Sequence, residues 1–318
     1  MSCDDWRNLS TQEVAPLLEA ERARWLTGLS WETQTTWATV EEARAGGRLP
    51  GFVLREHGRI TGWTFYLLRG NMVQIGALAA EEARGVRRLI DEVLDAPEAS
   101  RADRASLFVF PSNASLATAL TRRRFVMRDH EYLTRDIACQ SGRGDLDRDA
   151  AGGSSLAVRP FRETDETRIV RLLAEAYRDV PSAECFAPNG RLEEWAWYVR
   201  QLLRTSACGT LVPDATFVIE EPECDALAGA VLTTDISDAT AHIAQIVVSP
   251  RAQGVGLGTR LLDTAIARLR SRGGRRVTLM VSDDNTRAKA IYAKRGFTAG
   301  RTFLYGTRPM PRRLARAS

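Results

Sequence analysis

The chain repeats its own spacing. Gly256 follows Gln245 by eleven residues, and Gly85 follows Gln74 by the same interval. Asn285 precedes Gly296 by eleven with Phe297 next, and Asn113 precedes Arg124 by eleven with Phe125 next. The halves thus run in parallel at an offset of 171 to 172 residues. An offset kept through several elements means that one supersecondary order is built twice. The length agrees, because 318 residues exceed what one ordinary core holds.

Between the halves lies "CQSGRGDLDRDAAGGSS", rich in Gly, Asp and Ser and without apolar periodicity, which reads as a linker. The expected division is a domain at 1–138, a linker at 139–155 and a second domain at 156–318. In the second half "LAVRPF" reads as a strand, and "TDETRIVRLLAEAYRDV" as a helix capped by Thr164 or Asp165. A helical "EEWAWYVRQLL" follows, then strand-like "ATFVIEE", "LAGAVLTTD" and "TAHIAQIVV". The helix "GTRLLDTAIARLRS", the strand "RVTLMV", the helix "DDNTRAKAIYAKRG" and the strand "RTFLYGT" complete a mixed α/β order.

Composition narrows the class. With 44% hydrophobic and 26% charged residues and no long apolar run, the chain reads as globular, without a membrane partner. The polar start "MSCDDWRNLS" is unlike a signal peptide, so a cytoplasmic protein is expected. Cys3, Cys139, Cys185, Cys208 and Cys224 are odd in number and scattered, which suits reduced thiols and neither a disulfide framework nor a zinc site. The net charge of +4 is mild, and "TRRRF" and "RPMPRRLARAS" lack interleaved aromatics, so no nucleic-acid partner is expected. Oligomeric state is left open.

The stretch "VSPRAQGVGLGTRLL" carries alternate glycines where a strand meets a helix. A Walker loop would need Lys and Ser/Thr after its last glycine, and Thr259 and Arg260 stand there instead. A dinucleotide fingerprint, with Asp283 as its acid, would need its third glycine at 259, and the glycine is at 258. A third reading asks only for free N–H groups at a helix start and for glycines that let phosphates approach, which binds a pyrophosphate without metal.

Here the sequence resembles the GCN5-related N-acetyltransferase (GNAT) superfamily. Gln253, Gly256 and Gly258 match its Q/R-x-x-G-x-G/A loop, "IVVSP" its preceding strand and "NTRAKAIYAKRGF" its N-x-x-A-x-x-x-Y-x-K-x-G-F helix. The resemblance covers about 156–308 closely and the first half in outline. It implies two tandem GNAT-like domains, each a mixed, mostly antiparallel sheet flanked by helices. At the family positions the first half carries Glu82 for Gln253, Ala83 for Gly254, Arg87 for Gly258 and Leu120 for Tyr292. It therefore reads as a degenerate domain, and the second as the catalytic one.

The resemblance implies acetyl-CoA, or another acyl-CoA, as co-substrate, with no metal. Ile246, Val247 and Val248 resemble the strand that pairs with the pantetheine arm, and the amides of Gln253, Gly254, Val255, Gly256, Leu257, Gly258 and Thr259 would hold the pyrophosphate. Asn285 resembles a coenzyme-contacting asparagine, with helix capping as its competing role. Tyr292 is the candidate general acid for the leaving thiolate, and a Val247 amide would hold the oxyanion. The base is open. Gln245 stands where many members carry Glu and could position a water. His242 is a second choice, expected on the opposite sheet face, and Glu184, Asp235 and Glu175 are further carboxylates. Trp195, Trp197 and Tyr198 either pack their helix or shape an acceptor pocket. The expected activity is acyl-CoA-dependent N-acetyl transfer to a small-molecule amine by direct transfer in a ternary complex; the alternative is a non-catalytic acyl-CoA or metabolite sensor.

Overall fold

The computed structural model describes residues 1–110, 115–138, 156–205, 208–221 and 225–310. The expected linker, 139–155, lies outside the described residues, as do Asn113, Cys139 and Cys224. The chain packs as two compact units, one of Met1–Ala23, Gln34–Glu131 and Thr302–Ser318, the other of Arg24–Thr33 and Tyr132–Arg301. This membership departs from a single cut in the sequence. The physical reason is strand pairing and ring packing. The last strand, from Leu304 on, is antiparallel to Arg104–Val109 of the first half, and Trp31 packs its ring on His242 of the second.

The first unit is built on strands β1 (Ser2–Asp5), β2 (Gly51–Glu56), β3 (Arg59–Arg69), β4 (Met72–Ala80) and β5 (Arg104–Val109), hydrogen-bonded in that order. Helices α1 (Thr11–Leu29), α2 (Gln34–Ala45), α3 (Ala83–Asp95) and α4 (Ser115–Arg122) accompany them. Strand β6 (Val126–Asp136) passes from this unit into the other. Period-two alternation splits the core between two faces. On one, Leu78, Val86, Leu89, Ile90, Leu116 and Leu120 pack together. On the other, Trp6 stacks on Phe65 at 5.6 Å, and the buried Arg44 guanidinium donates to the carbonyls of Trp6 (2.8 Å) and Leu9 (2.7 Å).

The second unit repeats the order with β7 (Val158–Pro160), α5 (Glu166–Ala176), α6 (Leu192–Arg204), β8 (Thr210–Leu211), β9 (Phe217–Glu220), β10 (Leu227–Ser237), β11 (Thr240–Val248), α7 (Leu257–Ser271), β12 (Arg276–Ser282) and α8 (Thr286–Lys294), and β13 (Thr298–Pro309) passes from it into the first unit. Its strands lie in the order β6, β12, β11, β10, β9, β7. Helix α7 packs Leu261, Leu262, Ala265 and Ile266 on one sheet face, and α5 and α6 pack Leu173, Trp195 and Val199 on the other. This mixed, mainly antiparallel sheet between helices is the expected architecture. Among the described residues no helix is long and apolar enough to cross a membrane.

One irregularity governs the site. β10 and β11 pair Leu232 with Gln245 but Thr233 with Ile243, which leaves Ala244 as an extra residue, a β-bulge. The parallel ladder of β11 with β12 runs from Thr240↔Arg276 to Ile243↔Leu279 and stops at that bulge. Beyond it β11 keeps only its β10 partner. β4 does the same, with Gly76 extra between its pairings to Phe65 and Tyr66 and its ladder with β5 ending at Ile75↔Leu107. The bulges therefore set Ala77, not Gln74, in the place of Gln245.

Candidate active site

Where β11 parts from β12 the second unit holds a cleft of about 400 Å³. Its walls are Ile246, Val247 and Val248 of β11, the glycine loop with the first turn of α7, and one face of α8. Of the residues expected to hold a coenzyme, Ile246, Val247, Val248, Gln253, Gly254, Gly256, Leu257, Gly258, Thr259 and Asn285 line this cleft. Val255 does not; it is 51% exposed at the loop's outer side. Tyr292 lines the cleft opposite the loop.

The loop's shape follows from its glycines. Gly254 (φ +90°) and Gly256 (φ +84°) both take the left-handed region, and nothing lies within 4 Å of where a Cβ would project from either. Gly256 is the N-cap of α7 and offers no side-chain acceptor, so the first-turn amides stay open. Among the described residues, no N–H from 253 to 259 donates to a backbone carbonyl; the helix ladder starts with Arg260 N to Gly256 O at 3.0 Å. Gln253 folds back, and its Nε2 donates to Val248 O at 3.3 Å. The result is a run of free amides at a positive helix end, the physical requirement for holding a phosphate.

The first unit lacks this loop. Only Glu81 and Glu82 separate β4 from α3, so Ala83 and Arg87 are helical residues and no residue-for-residue counterpart of Gln253–Gly258 exists. Leu116, Leu120 and Phe125 are buried with Leu78 and Val86 in that unit's core, where Leu120 is the counterpart of Tyr292.

Tyr292 reaches the cleft because α8 places it one turn beyond Ala288, on the face that also carries Ile291. It is 7% exposed, with its ring against Phe297 at 5.8 Å. Burial pushes its phenol up to about 12. Asn285 caps α8, its Oδ1 accepting from Ala288 N at 3.1 Å, and it also lines the cleft.

Gln245 and His242 are not in the cleft wall. The bulge at Ala244 adds a residue between them, so both point to the α5 side of the sheet and not to opposite faces as strict alternation predicts. Gln245, 6% exposed, bridges two phenols: Tyr177 OH donates to its Oε1 at 3.1 Å, and its Nε2 donates to Tyr198 OH at 3.4 Å. In this arrangement its side chain holds the two phenols together.

His242 is enclosed. It is 2% exposed, its ring lies 5.0 Å from Trp31 and stacks on Tyr132 at 6.1 Å, and its Nδ1 is 2.9 Å from Thr278 Oγ1. Four residues of strand, about 13 Å, separate it from the first cleft residue, Ile246. Burial pulls its pKa down to about 3, so the imidazole is neutral. This is a core histidine, out of reach of an acceptor in the cleft. Because its folded pKa is below the unfolded value, the stability it contributes is full above pH ~6.5 and falls by about 1.4 kcal/mol per pH unit below that. A His242→Gln variant should lose this acid-side slope, as read from urea midpoints between pH 7 and pH 4.

Of the other carboxylates, Asp235 sits 3.4 Å from Arg272 and pairs in the ladder with Ala241, away from the cleft. Glu175 sits 3.9 Å from Arg251. Trp195 and Tyr198 are buried with Phe186 and Tyr177, which bears out their packing role, while Trp197 is 39% exposed. Sequence reasoning missed Ala252, Leu262, Arg287, Ala288 and Ile291 in the cleft wall. The helical spacing of Ala288, Ile291 and Tyr292 is the signal that could have found two of them. No pattern singles out Tyr177.

The chain is similar to known proteins in both sequence and fold. The sequence model of the Acetyltransferase (GNAT) family matches residues 168–297, from α5 through the cleft to Phe297. A mycothiol acetyltransferase of Beutenbergia cavernae is 30% identical over 273 residues, 82% of this chain and 86% of that one. Among solved structures, a GCN5-related N-acetyltransferase from Sphaerobacter thermophilus superposes with a TM-score of 0.66 over 97% of this chain and 96% of its own, at 15% identity. A tandem GNAT protein from the clavulanic acid biosynthesis pathway does so at 0.62 over 98% and 99%, at 18% identity. Both share the two-domain fold. A relative at that identity across most of both chains, and a family pattern that runs through the open edge of β11 and its glycine loop, mean that the chain belongs to the acetyltransferase (GNAT) family and is an acyl-CoA-dependent N-acetyltransferase.

Proposed function

We propose that the second unit's cleft takes acetyl-CoA and that the acetyl group passes directly to the amine of a small molecule of the mycothiol type, the chemistry named for the Beutenbergia relative. One observation carries the reading: the amides from 253 to 259, free of backbone partners, converge on a cleft that glycines keep open. A diphosphate fits such a cradle, and the β11 edge that β12 leaves unpaired fits an extended amide-bearing arm. In this reading the first unit is a scaffold without a coenzyme site, because its β4 to α3 connection has no glycine loop and Leu120 is buried in its core where the second unit has Tyr292.

The residues of the chain then divide the work. The N–H groups of the loop hold the diphosphate, and a β11 amide, that of Val247, faces the carbonyl oxygen as charge gathers there. As nitrogen bonds to the acyl carbon and the C–S bond breaks, the Tyr292 phenol gives its proton to sulfur. It is restored by the proton the product nitrogen sheds. A phenol near 12 is a weak donor, but the same burial makes a departing thiolate more basic, which keeps the transfer matched. Tyr292 stays protonated through the working range, so no alkaline loss of kcat below about pH 11 should come from it.

Cys3, Cys185 and Cys208 are free thiols, which suits a reducing compartment such as the cytoplasm. The test of function is purified full-length chain with acetyl-CoA and the unacetylated amine precursor of mycothiol, followed by thiol release and product mass. Stoichiometric release with N-acetylation of the precursor is the expected result. Coenzyme binding with no release for that amine or any of a panel would return the chain to the sensor reading.

A further inference from the structure

We propose that Gln245 is a positioning residue: held between Tyr177 and Tyr198, its side chain locks the register of β11 and so keeps open the strand edge that receives the coenzyme's arm. This role rests on the acetyl-CoA reading above and deepens it.

The segment needs such a determinant because most of it has none. Past the bulge come Ile246, Val247 and Val248, apolar residues that suit either face of a sheet covered on both sides. In the observed register Ile246 and Val248 pack toward α7 and Val247 toward α5. Sliding this part of β11 by one residue, so that the bulge disappears, would exchange those faces with little loss of burial. It would also pair Ala244 with Leu232 and let the ladder with β12 run on past Ile243↔Leu279, which closes the edge.

Gln245 tells the two registers apart. In the observed one it faces the α5 side, where Tyr177 OH donates to its Oε1 at 3.1 Å and its Nε2 donates to Tyr198 OH at 3.4 Å. In the other it would pair with Val231 and enter a layer of aliphatic side chains that includes Leu261, Leu262 and Ile243, where a bare amide is costly. The two phenols are themselves fixed. Tyr177 is the C-cap of α5 and stacks on Trp195 at 5.4 Å, and the Tyr198 ring lies 4.8 Å from that of Phe186. One buried polar side chain can select a register that apolar neighbours leave open.

The first unit specifies its bulge by another means. Its extra residue is Gly76, and a Cβ added there would overlap the Phe65 ring. Only glycine fits at that place, so the absence of a side chain decides which residue bulges, and Ala77 follows without a polar group. Ala244 carries a Cβ, and β11 places its determinant one position later.

The experiment uses the full-length chain and reads coenzyme A binding by calorimetry, amide exchange without coenzyme by mass spectrometry, and acetyl-transfer kinetics. Two hydrogen bonds bias the registers by roughly 10- to 100-fold, and the apparent affinity falls with the fraction of molecules that hold the open edge. Gln245→Met keeps the side-chain length and removes both bonds. It should weaken coenzyme A about 10-fold, raise the KM of acetyl-CoA equally and leave kcat at saturation within about threefold. Exchange should quicken in β11 and stay unchanged in the sheet of the first unit. Gln245→Glu, whose carboxyl group can bond both phenols, should return the affinity to within about threefold of the parent. Tyr177→Phe should weaken binding by about 3- to 10-fold and, combined with Gln245→Met, add no more than about twofold.

Affinity within about twofold of the parent in both Gln245→Met and Tyr177→Phe, or losses that simply multiply in the pair, would overturn the role and leave the coenzyme site standing. Should Gln245→Met not fold, Tyr177→Phe, which removes a single oxygen, decides alone. Failure of the unaltered chain to bind coenzyme A would overturn the acetyl-CoA reading and this role together.

Discussion

Tyr292→Phe lowers kcat by roughly 10²- to 10⁴-fold, the span of a lost general acid, and leaves the dissociation constant of acetyl-CoA within about threefold. The substitution removes one oxygen from a ring that is 7% exposed and packed on Phe297, so the α8 face keeps its shape. Binding and chemistry therefore separate: titration of acetyl-CoA by calorimetry should match the parent, while single-turnover thiol release slows. An acceptor-independent loss is expected, since the proton goes to sulfur and not to the amine. If the variant turned over within tenfold of the parent, Tyr292 would be a packing residue of the α8 face and the sulfur would take its proton elsewhere.

Gly256→Val acts on the other wall. Gly256 holds φ at +84° as the N-cap of α7, a region that costs a side-chain-bearing residue roughly 1–2 kcal/mol and a β-branched one more. The chain escapes that cost by turning the loop, which re-aims the amides of 253–259 away from the cleft. The expected result is a rise of about 10- to 100-fold in KM for acetyl-CoA, because each 1.4 kcal/mol of lost binding is tenfold. A change in kcat at saturation should be small by comparison. The Tm should move by only a few degrees, because the loop is exposed and no atom lies within 4 Å of the added Cβ. An unchanged KM would mean that these amides do not hold the coenzyme.

Local chemistry made much of the site legible beforehand. A glycine that must adopt positive φ has few substitutes, so the phosphate cradle is written as glycines. A helix face repeats at a fixed interval, so Asn285, Ala288 and Tyr292 can be placed together from spacing alone. Ten of the eleven residues expected to hold the coenzyme line one cleft, and the side chain of the eleventh, Val255, is 51% exposed.

The misreadings share one cause. An extra residue in a strand changes every face assignment after it, and Ala244 has no property of its own that marks it as a bulge. For that reason Gln245 and His242 were expected on opposite faces and lie on one. The same displacement in β4 misaligned the halves around Gln74, and the shorter β4 to α3 connection removed the loop to which Glu82, Ala83 and Arg87 had been matched. His242 was a candidate base only because its enclosure comes from Trp31 and Tyr132, more than a hundred positions away in the chain.

What the amino-acid order determined unaided was the doubled α/β plan, the anion cradle and the tyrosine facing it, because each depends on backbone freedom or on intervals within one element. What the folded chain alone decided was where the β11 to β12 ladder stops and which side chains meet on each sheet face. Those outcomes depend on pairing register and on burial by distant residues, and neither quantity is a property of any local stretch.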